Sequence, residues 1–467
     1  MQERGLTRQS VRNVSTASKA LPALVSGLAW LFPLGLAAGA AAQVPADPIR
    51  LVNVFIGSGS GPIGYGGTMP FVTPPFGMTD WTAQTRQNKV SVTSYKYEDT
   101  SISGFMGTHQ PAIWMGDYGY VTLMPELDNL KTTSDERKLS FTHADEIARP
   151  DYYSVSLQAD NARRIRTEMT ATTHCGYLRF TFPADRASMV MVEASRPGID
   201  GLAQVNTAKQ EIVGYNPDRM DSGLGPLKLS NFKGYFVIQF RQPFSKSGTY
   251  GMGPEDRDKA RGAYAQFQTQ PGEVIEARVG TSFISIEQAR ANLQAEIPAW
   301  DFEKIRLALR ETWNEKLQRM TLQGASDDQQ RIIYTGLYHA MLYPRIFSEQ
   351  GRYYSAFDDT VHKGESYTAY SIWDTFRAEN SLLTLIAPEY IDGMVQALLQ
   401  NYLEGGWMPK WPNPTYTSIM IGTHADAVVA DAVVKGYKGF DLKLAYEYYL
   451  IAAAHGSAKA YLRLAAL

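Results

Sequence analysis

The chain has 467 residues, of which 425 would remain after loss of the 42-residue leader described below. One hydrophobic core rarely organises so many residues, so the length predicts two domains. Hydrophobic residues make up 44% and charged residues 20% of the sequence, which excludes a disordered chain and a multispan membrane protein. The leader holds four basic residues and one acidic residue, so 45 basic and 47 acidic residues become 41 and 46. This balance argues against nucleic acid as a partner.

The first 42 residues have the pattern of a leader for export. Four basic residues lie within residues 1–20, residues 21–42 carry no charge, and Ala40, Ala41 and Ala42 fit a signal-peptidase site. We expect cleavage after Ala42, a secreted or extracytoplasmic location, and no stable membrane span afterwards. The alternative is an uncleaved anchor, because 22 uncharged residues can just cross a bilayer.

From about residue 118 to residue 283, short runs of β-branched and aromatic residues alternate with Gly, Pro, Asn and Asp. This spacing is typical of an antiparallel β-sandwich. We therefore predict a β-sandwich domain over residues 43–284. Its clearest strands are predicted at residues 120–124, 152–157, 177–182, 189–193, 232–240 and 274–283.

The pattern changes at Ser285, where Ser-Ile-Glu-Gln fits a capping box at the start of a helix. Apolar residues then recur at helical spacing over residues 302–317 and 391–402. A β domain followed by successive helices of similar length predicts a sandwich packed on a helical toroid over residues 285–467. Closing such a toroid would need more helices than this chain supplies. Further helices are predicted at residues 328–343, 371–385, 425–435 and 441–454.

A glycine-rich segment at residues 57–67 is followed by Pro-Pro-Phe-Gly at residues 74–77. Glycines allow a backbone to approach a ligand closely, yet the context of a nucleotide-binding loop is missing. A surface loop and the wall of a pocket therefore remain equally good interpretations.

A second polar and aromatic segment, residues 104–119, contains His109, Trp114 and Asp117 among small and rigid residues. His109 could hydrogen-bond a sugar hydroxyl or act as an acid or base, and an exposed Trp114 could stack on a pyranose ring. The alternative is that His109 is a structural donor and Trp114 belongs to the core. No second His or Cys lies at metal-ligand spacing.

The third segment runs from residue 367 to residue 411. Asp374 lies in the first turn of a predicted helix, where the helix dipole favours a carboxylate, and Arg377 stands three residues on, able to pair with it. Trp407 and Trp411 are bracketed by Gly and Pro around Lys410, so they cannot form a helical stripe. Aromatic rings, a carboxylate and a lysine together predict sugar recognition, with Trp packing at a domain boundary as the alternative.

At these residues the chain resembles glycoside hydrolase family 92, the calcium-dependent exo-acting α-mannosidases. The matching blocks are highly specific only together, and they include residues 371–377 with Trp-Asp-Thr-Phe-Arg at residues 373–377. The resemblance implies an N-terminal β-sandwich, a C-terminal (α/α)6 barrel that is incomplete here, and an active site at their junction. That site would remove terminal α-mannose, with inversion, from a mannose-containing glycan or glycoprotein. The other matching blocks lie at residues 52–57, 95–99, 102–105, 117–119, 292–293, 338–339, 405–411 and 431–436.

Inversion requires a protonated carboxyl group that assists the leaving oxygen and a carboxylate that activates water, with about 6.5–9.5 Å between them. In the family that this chain resembles, the proton donor lies in a Gly-Asn-Glu-Pro segment and the base in a Gly-Asn-x-Asp-x-Gly segment. Neither segment occurs in this sequence. We therefore expect a chain that is truncated relative to the family, and we assign no catalytic acid or base.

The resemblance implies that Asp374 contacts sugar hydroxyls and that Trp373 and Arg377 shape or orient it. His109, Lys410 and Trp411 are further candidates for substrate binding. Calcium is implied as the cofactor, although most of its ligands are expected in the missing segments. His424 and Asp426 are local candidates for such ligands, yet Thr423 and Asp426 are more simply explained as the start of a helix.

Three functions remain open at this stage. The first is the N-terminal portion of a secreted α-mannosidase. The second is a carbohydrate-binding remnant that performs no proton transfer. The third is an inactive fragment, because half a toroid leaves apolar helix faces without partners.

Overall fold

The computed structural model of the chain describes residues 47–61 and 64–454, so the predicted leader lies outside the described residues. An antiparallel sheet-rich domain comes first and a helical domain follows, as the sequence predicts. The last strand of the large sheets ends at Ser282, and the first α-helix begins at Ile286.

The strands of the first domain occur in a continuous series. In chain order they are β1 Ser60–Gly61, β2 Gly64–Tyr65, β3 Asp80–Gln84, β4 Ser101–Ile102, β5 Gly104–Thr108, β6 Val121–Glu126, β7 Leu139–Ser140, β8 Glu146–Arg149, β9 Tyr152–Gln158, β10 Arg164–Ala171, β11 Cys175–Phe182, β12 Asp185–Ser195, β13 Leu202–Asn206, β14 Glu211–Asn216, β15 Gly234–Phe240, β16 Lys246–Tyr250, β17 Arg261–Thr269 and β18 Glu273–Ser282. Each of the six predicted runs coincides with one of these strands.

Most of these strands form two antiparallel sheets. The larger has ten strands in the order β13-β14-β15-β18-β11-β10-β9-β7-β4, with β8 paired to β9. The smaller has six strands in the order β16-β17-β12-β6-β5-β3. Side chains from both sheets, such as Phe180 and Val192, meet in one buried core. This face-to-face packing is the predicted sandwich.

The larger sheet is covered on both faces. Along β11, Leu178 and Phe180 enter the core between the sheets, while Cys175 and Tyr177 pack with Leu293 of a helix on the opposite face. This division follows from the two-residue period of a strand, which sends successive side chains to opposite sides. The sheet is therefore the middle of three layers.

The helical domain also contains two short two-stranded antiparallel sheets. Its helices and strands, in chain order, are α1 Ile286–Glu296, α2 Phe302–Leu317, α3 Asp327–Ala340, β19 Arg345–Ile346, β20 Arg352–Ser355, β21 Thr360–Lys363, β22 Tyr367–Thr368, α4 Ile372–Thr375, α5 Glu379–Ile386, α6 Pro388–Gly405, α7 Ala425–Val434 and α8 Leu442–Ala454. In the two small sheets β19 pairs with β22, and β20 and β21 form a hairpin. None of the helices in the described part of the chain is long and apolar enough to cross a bilayer.

The capping box predicted at Ser285 is half formed. The Ser285 hydroxyl accepts a hydrogen bond from the Gln288 backbone N–H at 3.1 Å. The Gln288 side chain, however, donates to Asn292 and accepts from Arg352 instead of returning to the N-cap. Side-chain contacts with Asn292 and Arg352 thus replace the hydrogen bond that Gln288 would make in a complete capping box.

One helix prediction is wrong. Residues 371–385 do not form a single helix, because α4 ends at Thr375 and α5 begins at Glu379. The Phe376 ring stacks on His424 with 4.2 Å between the ring centroids. Phe376 lies between the two helices, and helical periodicity cannot predict its contact with a distant segment.

Buried polar contacts join the two domains. The Tyr338 hydroxyl of α3 donates to the Phe71 carbonyl at 2.9 Å, and the Trp313 indole of α2 donates to the Thr73 carbonyl at 2.7 Å. Both carbonyls belong to the segment that leads into β3. These hydrogen bonds hold α2 and α3 against the edge of the sandwich, and the candidate site lies beside this edge.

Candidate functional site

A cavity of about 250 Å³ lies where the loop after β5 meets the helical domain. The sandwich side contributes Pro111, Ala112 and Trp114. The helical side contributes His339, Tyr343, Pro344, Ala369, Tyr370, Ser371, Asp374, Thr375, Glu379, Asn380 and Trp411. We call this the junction cavity.

Aromatic side chains form much of its wall. Trp114 is 49% exposed, so the ring is accessible to a ligand rather than part of the core. Trp411 is buried, and its indole nitrogen has no hydrogen-bond partner among the described residues. The Tyr370 hydroxyl donates to the Met394 carbonyl at 2.8 Å, which anchors this ring to α6. A concave, mainly apolar wall with few polar groups is typical of a small-ligand site.

Asp374 is the exposed carboxylate of this cavity. It lies in the first turn of α4, where the helix dipole favours negative charge. The Ser371 hydroxyl donates to Asp374 Oδ2 at 2.5 Å, which orients the carboxylate. The remaining acceptor positions are available to hydroxyl groups of a ligand.

Arg377 and Trp373 do not line the junction cavity, although both lie beside it. The pairing of Arg377 with Asp374 that the sequence allows is not formed among the described side chains. The guanidinium lies 4.6 Å from the Trp373 ring centroid and 4.6 Å from that of Phe376, and it donates to the Trp373 carbonyl. Trp373 of α4 and Arg377 therefore contact each other, and neither side chain lines the junction cavity.

Glu379 is a cavity residue that the sequence prediction missed. Its side chain lines the junction cavity at the first residue of α5. Burial, and secondarily the negative charge of Asp374, raises the pKa of the Glu379 carboxyl to about 7. This carboxyl is therefore protonated in a large fraction of molecules near neutral pH. The sequence analysis missed Glu379 because it predicts one uninterrupted helix over residues 371–385, in which this residue has no special position.

His339 is a second missed residue in the cavity wall. Its Nε2 is buried and has no hydrogen-bond partner in the described part of the chain. Burial lowers the pKa of His339 to about 4, so the ring is neutral. Tyr338 and His339 form one of the sequence blocks that carry the family resemblance, and this block could have identified His339 as a candidate site residue.

His109 does not reach the junction cavity. It is 1% exposed, and Nδ1–H donates to the Tyr118 carbonyl at 2.7 Å. Nε2 lies 3.0 Å from the Thr79 hydroxyl and accepts its hydrogen bond, because Nδ1 carries the proton. Burial, helped by the nearby Arg345 charge, holds the pKa of His109 well below its usual value. The geometry favours the structural alternative over contact with a sugar.

Lys410 faces a neighbouring cavity. This second cavity, of about 220 Å³, is lined by Trp407, Lys410, Trp411 and Tyr416, together with Pro226, Met408, Thr417, Ser418 and Ile419. Trp411 lines both cavities and separates them. Of the six residues predicted to bind substrate, the structure brings Asp374 and Trp411 into the junction cavity and Lys410 into the second one.

A buried ion pair lies next to the wall of the junction cavity. Arg345 of β19 donates to Asp80 of β3 at 2.6 Å, and both side chains are almost fully buried. Arg345 also donates to the Tyr343 hydroxyl at 3.3 Å, with its guanidinium 5.1 Å from the Tyr343 ring centroid. Since Tyr343 lines the cavity, the ion pair fixes part of the wall. Pattern analysis cannot anticipate a pair 265 residues apart.

The glycine-rich segment does not line either cavity in its described part, which omits residues 62 and 63. Gly67 has φ +72°, and a Cβ built there would lie 2.6 Å from the Ile113 side chain. The glycine thus permits close packing against the loop that carries Trp114. This contact gives the segment a supporting position behind the cavity wall.

The structure does not identify a calcium site among the described residues. No group of three or more His, Cys, Asp or Glu side chains within residues 47–61 and 64–454 is arranged to hold a metal ion. Asp426 lies in the first turn of α7 and accepts from the Ala427 backbone N–H at 2.8 Å, while the His424 ring stacks on Phe376. The calcium requirement therefore rests on the family resemblance alone.

Comparison with known families agrees with this architecture. Residues 51–282 match the model of the glycosyl hydrolase family 92 N-terminal domain, and residues 288–463 match that of the glycosyl hydrolase family 92 catalytic domain. The two matches together cover most of the chain and define its class as a glycosyl hydrolase family. The chain belongs to glycosyl hydrolase family 92.

Similar proteins include solved structures of the family. A family GH92 inverting mannosidase from Bacteroides thetaiotaomicron VPI-5482 is 33% identical, with a TM-score of 0.79 over 87% of this chain and 55% of that one. An α-mannosidase of the same family and species, solved with mannoimidazole, is 25% identical, with a TM-score of 0.75 over 88% of this chain and 56% of that one.

A curated relative from the fungus Arthroderma benhamiae is described as an uncharacterized secreted glycosidase. It is 26% identical to this chain over 90% of the chain and 54% of the relative. The chain therefore spans a little over half the length of the relatives it matches.

Proposed function

We propose that this chain binds terminal α-linked mannose in the junction cavity and belongs to a glycosidase that removes this sugar with inversion. The observation that carries the proposal is the placement of Asp374, oriented by Ser371, in a cavity with the accessible Trp114 ring. A carboxylate accepts hydrogen bonds from sugar hydroxyls, and an indole face packs against the apolar face of a pyranose. Solved relatives named as mannosidases support the choice of sugar.

The cavity also offers a group that can carry a proton. Glu379 shares the cavity with Asp374, and its pKa of about 7 leaves it partly protonated at neutral pH. In this state it can donate a hydrogen bond to a sugar oxygen, whereas Asp374 can only accept. One donor and one acceptor would orient a ligand with several hydroxyl groups. We assign neither residue to the acid or base of inversion.

A second candidate function is binding of mannosides without turnover. It is favoured by a specific observation, namely that neither Gly-Asn-Glu-Pro nor Gly-Asn-x-Asp-x-Gly occurs among the 467 residues. Binding requires only the cavity, whereas inversion requires a matched acid and base. A calcium requirement and action on N-linked glycans remain predictions from the family resemblance.

We also propose that the protein acts outside the cytoplasm. The proposal rests on the charge and small-residue pattern of residues 1–42. The description of the Arthroderma relative as secreted agrees with it. Sequencing the N-terminus of the exported protein tests it, with Gln43 as the expected first residue.

Calorimetry of the full chain with mannose tests the proposed site. Asp374→Ala is expected to weaken binding at least tenfold, because the oriented acceptor is lost, while the protein stays folded. Asp258→Ala is the matched control, since Asp258 is exposed in the sandwich domain and lines neither cavity. Equal affinity in the wild type and Asp374→Ala, or no binding by the wild type, would contradict the proposal.

A hydrolysis assay on an α-mannoside, with and without a chelator, separates the two candidate functions. Binding without measurable release of mannose supports the binding function. Release that the chelator abolishes supports the glycosidase together with the calcium prediction. Release that persists in chelator supports the glycosidase and contradicts the calcium prediction.

A further inference from the structure

One buried asparagine joins the two loops that carry tryptophans of the junction cavity. These are the Trp114 loop, residues 109–117 after β5, and the Trp411 loop, residues 406–424 after α6. The Asn413 side-chain amide donates to the Gly116 carbonyl at 2.8 Å and to Asp221 Oδ2 at 2.7 Å. Asn413 and Asp221 are almost fully buried and line neither cavity. Asn413 therefore acts on a ligand of the junction cavity only through the loops that it holds.

The orientation of the Asn413 amide is fixed by its two partners. A backbone carbonyl and a carboxylate only accept hydrogen bonds, so both must face the amide nitrogen, which supplies two N–H groups. Burial raises the pKa of Asp221 to about 6, although the Asn413 hydrogen bond and the charge of Arg219 oppose this shift. The carboxylate is therefore mainly ionised at neutral pH. Its bond to Asn413 is charge-assisted, and such bonds are stronger than those between neutral groups.

Asp221 and the Trp114 loop are held together within the sandwich domain. The Met220 N–H donates to the Asp117 carbonyl at 3.0 Å. A Cβ at Gly116 would lie 2.6 Å from the Met220 Cβ, so the glycine allows these two segments to approach closely. The two acceptors of the Asn413 amide thus belong to one packed unit, and Asn413 joins this unit to the helical domain.

The Trp411 loop is attached in turn to the wall of the junction cavity. The Ala369 N–H donates to the Pro412 carbonyl at 3.2 Å, directly before Asn413. Ala369 and Trp411 both line the cavity, and both pack with Met115 of the Trp114 loop in one buried cluster. A shift of Asn413 would therefore change how the two loops are placed around the cavity.

We propose that Asn413, held by Asp221, is a positioning residue that sets the Trp114 loop against the Trp411 loop. This inference rests on the proposed function, because it takes mannose to bind in the cavity that both loops line. Another hydrogen bond from the helical domain to the Trp114 loop runs from the Tyr343 hydroxyl to the Gln110 carbonyl and is longer, at 3.5 Å. The affinity for a sugar thus depends on a side chain that the sugar does not touch.

Calorimetry of the full chain with mannose tests this role at a temperature where all variants stay folded. Asn413→Ala is expected to weaken mannose binding about tenfold, because the Trp114 loop loses its tie to the helical domain. Asp221→Asn keeps a neutral acceptor for the Asn413 amide and should weaken binding about threefold.

Asn292→Ala is the matched control. The Asn292 amide is buried and likewise donates to a backbone carbonyl and to a carboxylate, those of Thr281 at 2.9 Å and Glu349 at 2.7 Å. It also joins the two domains, yet it lines neither cavity. The control should lose stability as Asn413→Ala does, while its affinity for mannose should stay within about twofold of the wild type.

Fluorine NMR of protein labelled with fluorotryptophan reports on the two loops without a ligand. In Asn413→Ala the resonances of Trp114 and Trp411 are expected to shift, because the loops are no longer held together. Those of Trp81 and Trp313, which are buried outside the two loops, should stay in place and show that the fold is intact. Phenylalanine at each loop tryptophan assigns its signal, and the control variant should move neither signal.

The outcomes separate this inference from the proposed function. If the wild type binds mannose and Asn413→Ala binds it equally tightly, the positioning role is refuted and the proposed function stands. An equal loss of affinity in Asn292→Ala would also refute it, since any weakened domain contact would then have the same effect. If the wild type binds no mannose, the proposed function fails; shifted loop signals then still support the positioning of the loops, and unchanged signals refute it. Should Asn413→Ala not fold, Asp221→Asn decides by the same two measurements.

Discussion

Replacing Glu379 by glutamine removes a titratable group from the junction cavity while it preserves the size of the side chain. Glu379 lines the cavity beside Asp374, and burial together with the Asp374 charge raises the pKa of its carboxyl from 4.5 to about 7. The folded protein thus disfavours the ionised form, whereas the unfolded chain does not. Folding stability must therefore decrease as the pH rises from about 4.5 through 7.

The expected size follows from the two pKa values. A group with a pKa of 4.5 in the unfolded chain and about 7 in the folded protein lowers the free energy of unfolding by about 1 kcal/mol at pH 5 and about 3 kcal/mol at pH 8. Glutamine has no such dependence. Glu379→Gln should therefore be more stable than the wild type by a small amount at pH 5 and a large amount at pH 8.

Urea unfolding at both pH values measures this difference, because the linear extrapolation gives the free energy of unfolding directly. Glu311→Gln is the matched control, since Glu311 is an exposed glutamate on α2 outside both cavities. It should change stability by less than about 0.5 kcal/mol at either pH. If Glu379→Gln changed stability equally at pH 5 and pH 8, the raised pKa would be wrong.

Two further predictions concern buried histidines. His109→Ala should lower the free energy of unfolding by about 3 kcal/mol in urea, because the Thr79 hydroxyl and the Tyr118 carbonyl lose their partner. At a temperature where the variant stays folded, its affinity for mannose should equal that of the wild type. A selective loss of affinity would show that His109 belongs to the binding site. His174 is buried, and although burial alone lowers its pKa, the hydrogen bond and charge of Glu296 raise it to about 9. Its stabilising contribution is fully present below pH 6.5 and is lost as the pH rises through 9, so the wild type should lose on the order of 3 kcal/mol relative to His174→Gln between pH 6 and pH 9.5. Parallel curves for the two proteins over that range would contradict it.

Strand periodicity and helix starts were readable from the sequence because they depend on neighbours in the chain. The strand at residues 177–182, which is part of β11, and the Ser285 N-cap depend on such local patterns, and both occur as predicted. The break between α4 and α5 depends on Phe376 stacking against His424, a contact between distant segments. No window of the sequence contains both residues of that pair.

The candidate site divides in the same way. Asp374 was found because it belongs to a specific block of residues, and the structure gives it an accessible position in the cavity. Glu379 was missed because its importance lies in burial beside Asp374, which propensity does not encode. His109 was selected for its residue type, and only the structure shows that both ring nitrogens already form hydrogen bonds within the protein.

The Arg345–Asp80 ion pair has a consequence for anyone who wishes to exchange modules between members of this family. One charge belongs to a short strand of the helical domain and the other to a strand of the sandwich. A chimera that joins unrelated halves would leave one charge in a dry interior without its counterion, which costs several kcal/mol. The two domains are therefore best engineered and expressed as one piece, despite their separate architectures.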